Sequence, residues 1–225
     1  MQYTGEDYLN ALEVAENYND FIAESFARWI GDSTRIVDFG AGTGLLARKV
    51  REKTGKDVQC LEPAENMKKY LPGVVLESLE EVPDGSIDFI YSSNVLEHIE
   101  DDAAIIAEMG RVLKPAGRVC LYLPACQCLF SQLDRRVGHY RRYDKPRLKR
   151  LFEPEKWKVL DLRYADSLGF AATWYYKLFG SKTGDFHIPS LKFYDRVVFP
   201  ASRLIDRMTF GFCPGKNVFV CAEKR

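Results

Sequence analysis

Apolar residues recur every three to four positions across residues 6–30 (Leu9, Leu12, Val14, Tyr18, Phe21, Ile22, Phe26 and Trp29), a spacing that predicts one or two amphipathic helices closed by Gly31-Asp32. The pattern then changes. Arg35-Ile36-Val37-Asp38-Phe39 is a short β-branched run that stops on glycines and passes into a helical stretch over residues 45–53, giving strand, tight turn, helix. Residues 58–61 repeat the theme as a buried strand, followed by a helix over 65–70. Further strands are predicted at Val74-Val75-Leu76, 87–91 and 119–123, and a helix over 101–113 is broken by Lys114-Pro115-Ala116-Gly117. A basic, aromatic loop (134–143), a helix (145–152), a strand (159–164), an aromatic-rich stretch (168–212) and a closing strand (217–222) complete the chain.

Strands alternating with helices at such short spacing predict right-handed crossovers, so the fold class is α/β: Rossmann-like, doubly wound, with a mostly parallel seven-stranded sheet. With 225 residues, 46% hydrophobic and 28% charged, the chain has the composition of a globular protein, which excludes a disordered or fibrous one. One domain is expected over 1–225: an N-terminal helical cover (1–33), a cofactor-binding core (34–164), an aromatic-rich acceptor or cover segment (165–214) and the closing strand (215–225).

Charge and cysteine usage narrow the partners. Thirty-two basic residues balance thirty-two acidic ones, so no whole-surface field is available for a polyphosphate, and no nucleic-acid partner is expected. The six cysteines contain no CxxC pair and are read as buried reduced thiols. The start Met1-Gln2-Tyr3-Thr4 carries neither the basic nor the apolar part of a signal peptide, and no apolar run approaches the roughly 20 residues needed to span a bilayer. A cytoplasmic protein, peripheral to a membrane at most, is the expectation.

In open α/β sheets ligands sit beyond the carboxyl ends of the strands, where the first strand runs into Asp38-Phe39-Gly40-Ala41-Gly42-Thr43-Gly44. A dinucleotide fingerprint needs G-x-G-x-x-G, yet the third glycine comes one residue early and Leu45 stands in its place, which disfavours a nicotinamide oxidoreductase. The segment from Val37 to Gly44 instead resembles the first motif of the class I S-adenosylmethionine-dependent methyltransferases (type 11-like). Leu61-Glu62-Pro63 is similar to the acidic end of that family's second strand, and Ser86-Ile87-Asp88-Phe89-Ile90 to its fourth. Asn94-Val95-Leu96-Glu97-His98 matches the loop and helix that follow, and Leu113-Lys114-Pro115-Ala116-Gly117 the turn before the fifth strand.

The resemblance implies an antiparallel C-terminal strand and S-adenosylmethionine as cofactor, with S-adenosylhomocysteine as product and no metal. It implies that Asp38 and the loop of Gly40, Ala41, Gly42 and Gly44 hold the methionine part and that Glu62, followed by Pro63, meets the ribose hydroxyls. Met67 is set to lie along the adenine, with a core methionine the alternative, and Ser78, beside Leu79, stands where an Asp usually meets the adenine amino group. Ser93 and Asn94 follow the fourth strand, and Tyr18 resembles part of a segment that closes over the cofactor. Ala116 replaces a usual glycine.

Methyl transfer from a sulfonium asks the protein to position the acceptor and, where needed, to deprotonate it. The cluster over 134–143 supplies His139 as a candidate base, with Arg141 and Arg142 as candidate grips for an anionic group; the alternative is a solvated loop paired with nearby acids. His98 is read as a capping or core residue, with base or metal ligand as the alternatives, and His187 is left without a place. The 134–143 stretch and the aromatic tail resemble a subgroup linked with cell-surface glycan assembly. The expected function is therefore methyl transfer to a small-molecule or lipid-linked saccharide acceptor, at oxygen, with a non-catalytic cofactor binder as the alternative. The aromatic segment is expected to meet acceptor, a membrane surface or a second copy in a homodimer.

Overall fold

The protein is described by a computed structural model covering residues 13–73, 75–179 and 188–225. The expected helical start at 6–12, Val74 and His187 lie outside these residues. The chain begins with α1 (Glu16–Ile30), β1 (Ile36–Phe39), α2 (Leu45–Thr54), β2 (Gln59–Leu61), α3 (Glu65–Lys68), β3 (Ile87–Ser93) and α4 (Asp102–Val112). It continues through β4 (Leu113–Pro124), α5 (Gln132–Arg136), α6 (Lys145–Leu151), β5 (Trp157–Ala165), α7 (Ser167–Phe179), α8 (Ile188–Phe193), α9 (Phe199–Met208) and β6 (Asn217–Lys224).

Among the described residues the sheet has six strands, where seven were expected, in the order β2-β1-β3-β4-β6-β5. β2, β1, β3 and β4 pair in parallel, and β6 runs antiparallel between β4 and β5, as the C-terminal strand was expected to. Of the expected third strand, 74–76, Val74 lies outside the described residues, and Leu76 makes a single parallel bridge to Leu61. The physical reason is local: Pro72-Gly73 stands immediately before it, and Ser78 already caps a 3-10 turn over Leu79–Glu81. The aromatic-rich stretch folds as α7, α8, a π turn over Tyr194–Val198, and α9.

Each strand feeds two cores because successive side chains point to opposite faces. Val37, Phe39, Ile90, Leu121 and Leu123 pack on one side with Ile106, Met109 and Val112 of α4 and Leu148 of α6. Ile36, Phe89, Tyr91, Cys120 and Tyr122 pack on the other with Ile22, Phe26 and Ile30 of α1 and Ala47 and Val50 of α2. β1 is buried at all four positions, as a strand covered on both faces must be. Phe26 stacks on Tyr91 at 4.8 Å, and truncating so buried a ring costs about 3–5 kcal/mol. Of the cysteines, Cys60, Cys120 and Cys221 are buried free thiols as expected, Cys126 is half-buried, and Cys128 and Cys213 are exposed.

Two carboxylates, buried Asp195 and half-buried Asp206, fasten the aromatic-rich helices. Asp195 accepts the backbone N–H groups of Asn17 and Tyr18 at 3.1 and 2.9 Å, capping the first turn of α1 from far along the chain. Asp206 does the same for α7, accepting the N–H groups of Asp166 and Ser167. Beyond these anchors Phe193, Met208, Phe210 and Phe212 remain exposed, the last two at 79%. Among the described residues no helix is long and apolar enough to cross a membrane.

Candidate functional site

The glycine loop leaves β1 with three glycines at positive φ, Gly40 (78°), Gly42 (53°) and Gly44 (73°), the last of which caps α2. Gly40 and Ala41 donate to the Leu61 carbonyl at 2.8 and 3.0 Å, which pins the loop across the end of β2. Glu62, buried, accepts Gly42 N–H on Oε2 at 2.8 Å and Ala64 N–H on Oε1 at 2.9 Å. One carboxylate thus joins the loop to the start of α3, and each oxygen keeps a lone pair for a further donor. A Cβ on Gly40 would lie 2.3 Å from Val95 Cγ2, so the glycine is what lets the loop after β3 close against it.

Asp38 is buried, and its Oδ2 has no hydrogen-bond partner. Burial and the nearby charge of Glu62 push its carboxyl up to about 7, against the pull of the Tyr91 hydroxyl. An orphaned carboxylate oxygen beneath a glycine loop fits a ligand carrying an ammonium, and Glu62 fits one carrying vicinal hydroxyls. S-adenosylmethionine carries both.

The other expected cofactor residues are distributed around this end of the sheet. Met67 is buried and Pro63 exposed. Ser78 Oγ accepts Glu80 N–H at 3.0 Å while Ser78 N–H donates to Glu81, a capping box that holds buried Leu79 in place. Ser93 is half-buried and accepts Asn94 Nδ2 at 3.1 Å; Asn94 is exposed and sits at φ 53°. Tyr18 donates its hydroxyl to Asn217 Oδ1 at 3.0 Å and sets its ring edge-on to Phe199 and Tyr122. Those contacts tie it to α9 and the end of β4.

Across from the glycine loop, the 3-10 turn Leu96–His98 meets the loop 131–143. Tyr140 N–H donates to the Glu97 carbonyl at 2.8 Å. Buried Asp134 organises this contact: it accepts Ser131 N–H and Oγ, His139 Nδ1 at 3.0 Å, and Arg142 through both Nε and Nη2. Although burial opposes it, the His139 and Arg142 donors hold the Asp134 carboxyl well below the usual carboxylate range. Arg141 donates to the carbonyls of Ile99 and Glu100 and pairs with Asp102 at 3.1 Å. Both arginines expected to grip an anionic acceptor therefore have partners within the chain, and they fasten the loop.

His139 turns its Nε2 toward Glu97, 3.8 Å away, and its ring lies edge-on to His98 with centroids 4.6 Å apart. Glu97 is fully buried, neither carboxylate oxygen has a hydrogen-bond partner, and burial pushes its carboxyl up to about 8. Burial and the neighbouring His139 lower His98 to about 4. Glu97 and Asp134 were missed as site residues by the sequence reading; the pattern Ser131-x-x-Asp134, a capping signature, was the available signal for the second.

Residues 37–121 match the family Methyltransf_11, the methyltransferase domain. An uncharacterized methyltransferase of Mycobacterium tuberculosis is 35% identical over 115 residues, 48% of this chain and 44% of that protein. A ubiquinone biosynthesis O-methyltransferase of Xanthomonas oryzae is 28% identical over 137 residues, 50% of this chain and 57% of that one. The chain thus matches well under two thirds of the length of these curated relatives. A SAM-dependent methyltransferase from Archaeoglobus fulgidus shares the fold at TM-score 0.60 and 16% identity, over 92% of this chain and 94% of that one. Residues 37–121 thus match a methyltransferase domain, on a fold shared with a solved SAM-dependent methyltransferase, and these likenesses support S-adenosylmethionine as the cofactor.

Proposed function

We propose that the protein transfers a methyl group from S-adenosylmethionine to an oxygen of a small-molecule or lipid-linked saccharide acceptor. When bound, the cofactor supplies an activated methyl group on a sulfonium. In this reading Asp38 and the loop of Gly40, Ala41, Gly42 and Gly44 hold its amino-acid end, Glu62 and Pro63 its ribose, and Met67, Ser78 and Leu79 its base. Ser93, Asn94 and Tyr18 complete the surround. The acceptor approaches between the 94–98 turn and the 131–143 loop, where His139, held by Asp134, takes part in deprotonating it and Arg141 and Arg142 shape its entrance.

The observation that supports this most is the packing of Val95 on Gly40: two residues further on stands Glu97, facing His139, so acid–base side chains adjoin the cofactor loop. Similarity to an O-methyltransferase supports oxygen as the acceptor atom. The exposed Phe193, Met208, Phe210 and Phe212 support an acceptor or contact of lipid character over a purely aqueous one. The test is incubation with methyl-labelled cofactor and a host metabolite extract, separated into aqueous and lipid fractions. Label in a lipid-soluble saccharide is expected, and label on a protein or nucleic acid alone would overturn the acceptor reading. Sedimentation with anionic liposomes, beside a size determination in solution, separates membrane contact from a homodimer buried on the same aromatics.

A further inference from the structure

The sequence reading expected no metal. From the structure we infer that Glu97, His98 and His139 form a site for one divalent transition-metal cation of the Zn²⁺ type at the acceptor end. Each offers a ligand atom, and all three atoms lie within 4.8 Å of one another. Metal–ligand bonds of about 2.1 Å at tetrahedral angles put ligand atoms about 3.4 Å apart, so closure on an ion needs the widest pair to approach by up to about 1.4 Å.

Three further observations point the same way. Glu97 is fully buried with both oxygens unpartnered, an arrangement that native interiors avoid unless something else completes it. His139 does not do so: its Nδ1–H donates to the Asp134 carboxylate, and its Nε2 stands 3.8 Å from Glu97, beyond hydrogen-bond reach. With Glu97 ionised and Nε2 unprotonated, as ligation requires, two donor atoms opposed in a buried place are what a cation would bridge. Asp134 completes the carboxylate–histidine–metal relay that fixes the tautomer and aim of a ligating imidazole, and Arg142 and Ser131 hold Asp134 in turn.

Two imidazoles and one carboxylate suit Zn²⁺, Fe²⁺, Mn²⁺ or Co²⁺ and disfavour Ca²⁺ and Mg²⁺, which take oxygen ligands. Three protein ligands leave at least one open position. The site deepens the proposed function and rests on it for its role: His139 then acts through the ion rather than as a free base, and the open position takes an acceptor hydroxyl and lowers its pKa. The O–H bond breaks with the proton passing to water, the oxygen forms the new C–O bond, and the C–S bonding pair stays on sulfur as a thioether.

The test uses the full chain, stripped with a chelator and titrated with Zn²⁺ by calorimetry and with Co²⁺ by visible absorption, with S-adenosylhomocysteine binding measured in parallel. About one equivalent bound at about 1 μM or tighter is expected. Glu97→Gln and His98→Asn should each weaken binding at least about a hundredfold, and Asp134→Asn about ten- to a hundredfold. Glu97→Gln is close to isosteric, and retained S-adenosylhomocysteine binding certifies its fold. Binding weaker than about 1 mM, or binding unchanged in Glu97→Gln, overturns the site. Because cofactor binding is read separately, loss of the metal with cofactor retained defeats this inference alone, whereas loss of cofactor binding by the unmodified chain defeats the methyltransferase reading.

Discussion

The two ends of the candidate site are built from different material. At the cofactor end the contacts start from backbone: the Gly40, Ala41 and Gly42 N–H groups, in a loop that positive φ at Gly40 and Gly42 shapes, are tied to the Leu61 carbonyl and the Glu62 carboxylate at the end of neighbouring β2. At the acceptor end they are made by side chains drawn from residues 97–102 and 131–143 and meeting across a chain separation of about forty residues. A backbone site fails when a side chain intrudes. A side-chain site fails when its organiser is lost.

The largest effect should come from removing that organiser. Asp134→Ala leaves Arg142 and His139 facing a buried gap and strips Ser131 of its cap, and breaking a buried charge pair by removing one partner costs about 3–5 kcal/mol. For a chain of this length that is a fall in Tm of about 6–20 °C. S-adenosylhomocysteine affinity in the surviving folded fraction should change less than about threefold, because the glycine loop has its own ties; a parallel collapse of cofactor binding would show that the two ends are one unit.

Gly42→Asp is the matching blow at the other end. It places a carboxylate beside Glu62 Oε2, which Gly42 N–H meets at 2.8 Å, and in the space a cofactor backbone must approach. Cofactor affinity should fall at least about a hundredfold, or about 2.7 kcal/mol. Gly31→Asp is the control: Gly31 also has positive φ (52°), where a side chain is strained, but a Cβ there meets nothing within 4 Å and the site is untouched. Equal loss of binding in both variants would trace the effect to strain.

This contrast also governs how much the sequence reveals. The glycine loop after β1 was legible because it is a glycine spacing after a β-branched run, and the parallel pairing of β2, β1, β3 and β4 followed from the alternation of elements. At the acceptor end residue types were legible but partners were not. Arg141 and Arg142 read as anion grips because nothing local shows that Ile99, Glu100 and Asp134 take their donors. Likewise, α7 and the first turn of α1 depend on caps from Asp206 and Asp195, which no pattern around Ser167 or Asn17 discloses. The short third strand fell to Pro72-Gly73 and the Ser78 cap, local signals that the apolar run Val74-Val75-Leu76 outweighed.

Protonation sharpens the comparison at the cofactor end. Asp38 in the folded chain is raised to about 7 from a reference near 3.9, so its neutral form contributes stability that is fully present below the reference value and is lost as pH rises through about 7. A cofactor ammonium favours the ionised form. Affinity for S-adenosylhomocysteine should therefore rise about tenfold between about pH 6 and pH 8 and then level, as titration calorimetry at several pH values would record. The rise should vanish in Asp38→Asn, and a flat profile in the unmodified chain would remove Asp38 from the ammonium contact.

The smallest effect lies where neither end reaches. Ala116, in the bend of β4 that the resemblance assigns to glycine, has φ 60°, a left-handed conformation that costs an L side chain roughly 1–2 kcal/mol. Ala116→Gly relieves that strain but gives the unfolded chain more freedom, an opposing term of about 0.4–1 kcal/mol. The net gain should be about 0.5–1 kcal/mol, a rise in Tm of roughly 1–4 °C by calorimetry, with cofactor and metal affinities unchanged. The bend is exposed, and its left-handed residue follows Pro115, so the strain is local and its relief should add nothing elsewhere. A fall in stability would mean that Ala116 is restrained by its neighbours into a conformation it tolerates, and that the glycine usual at this position serves the unfolded chain's turn formation more than the folded bend.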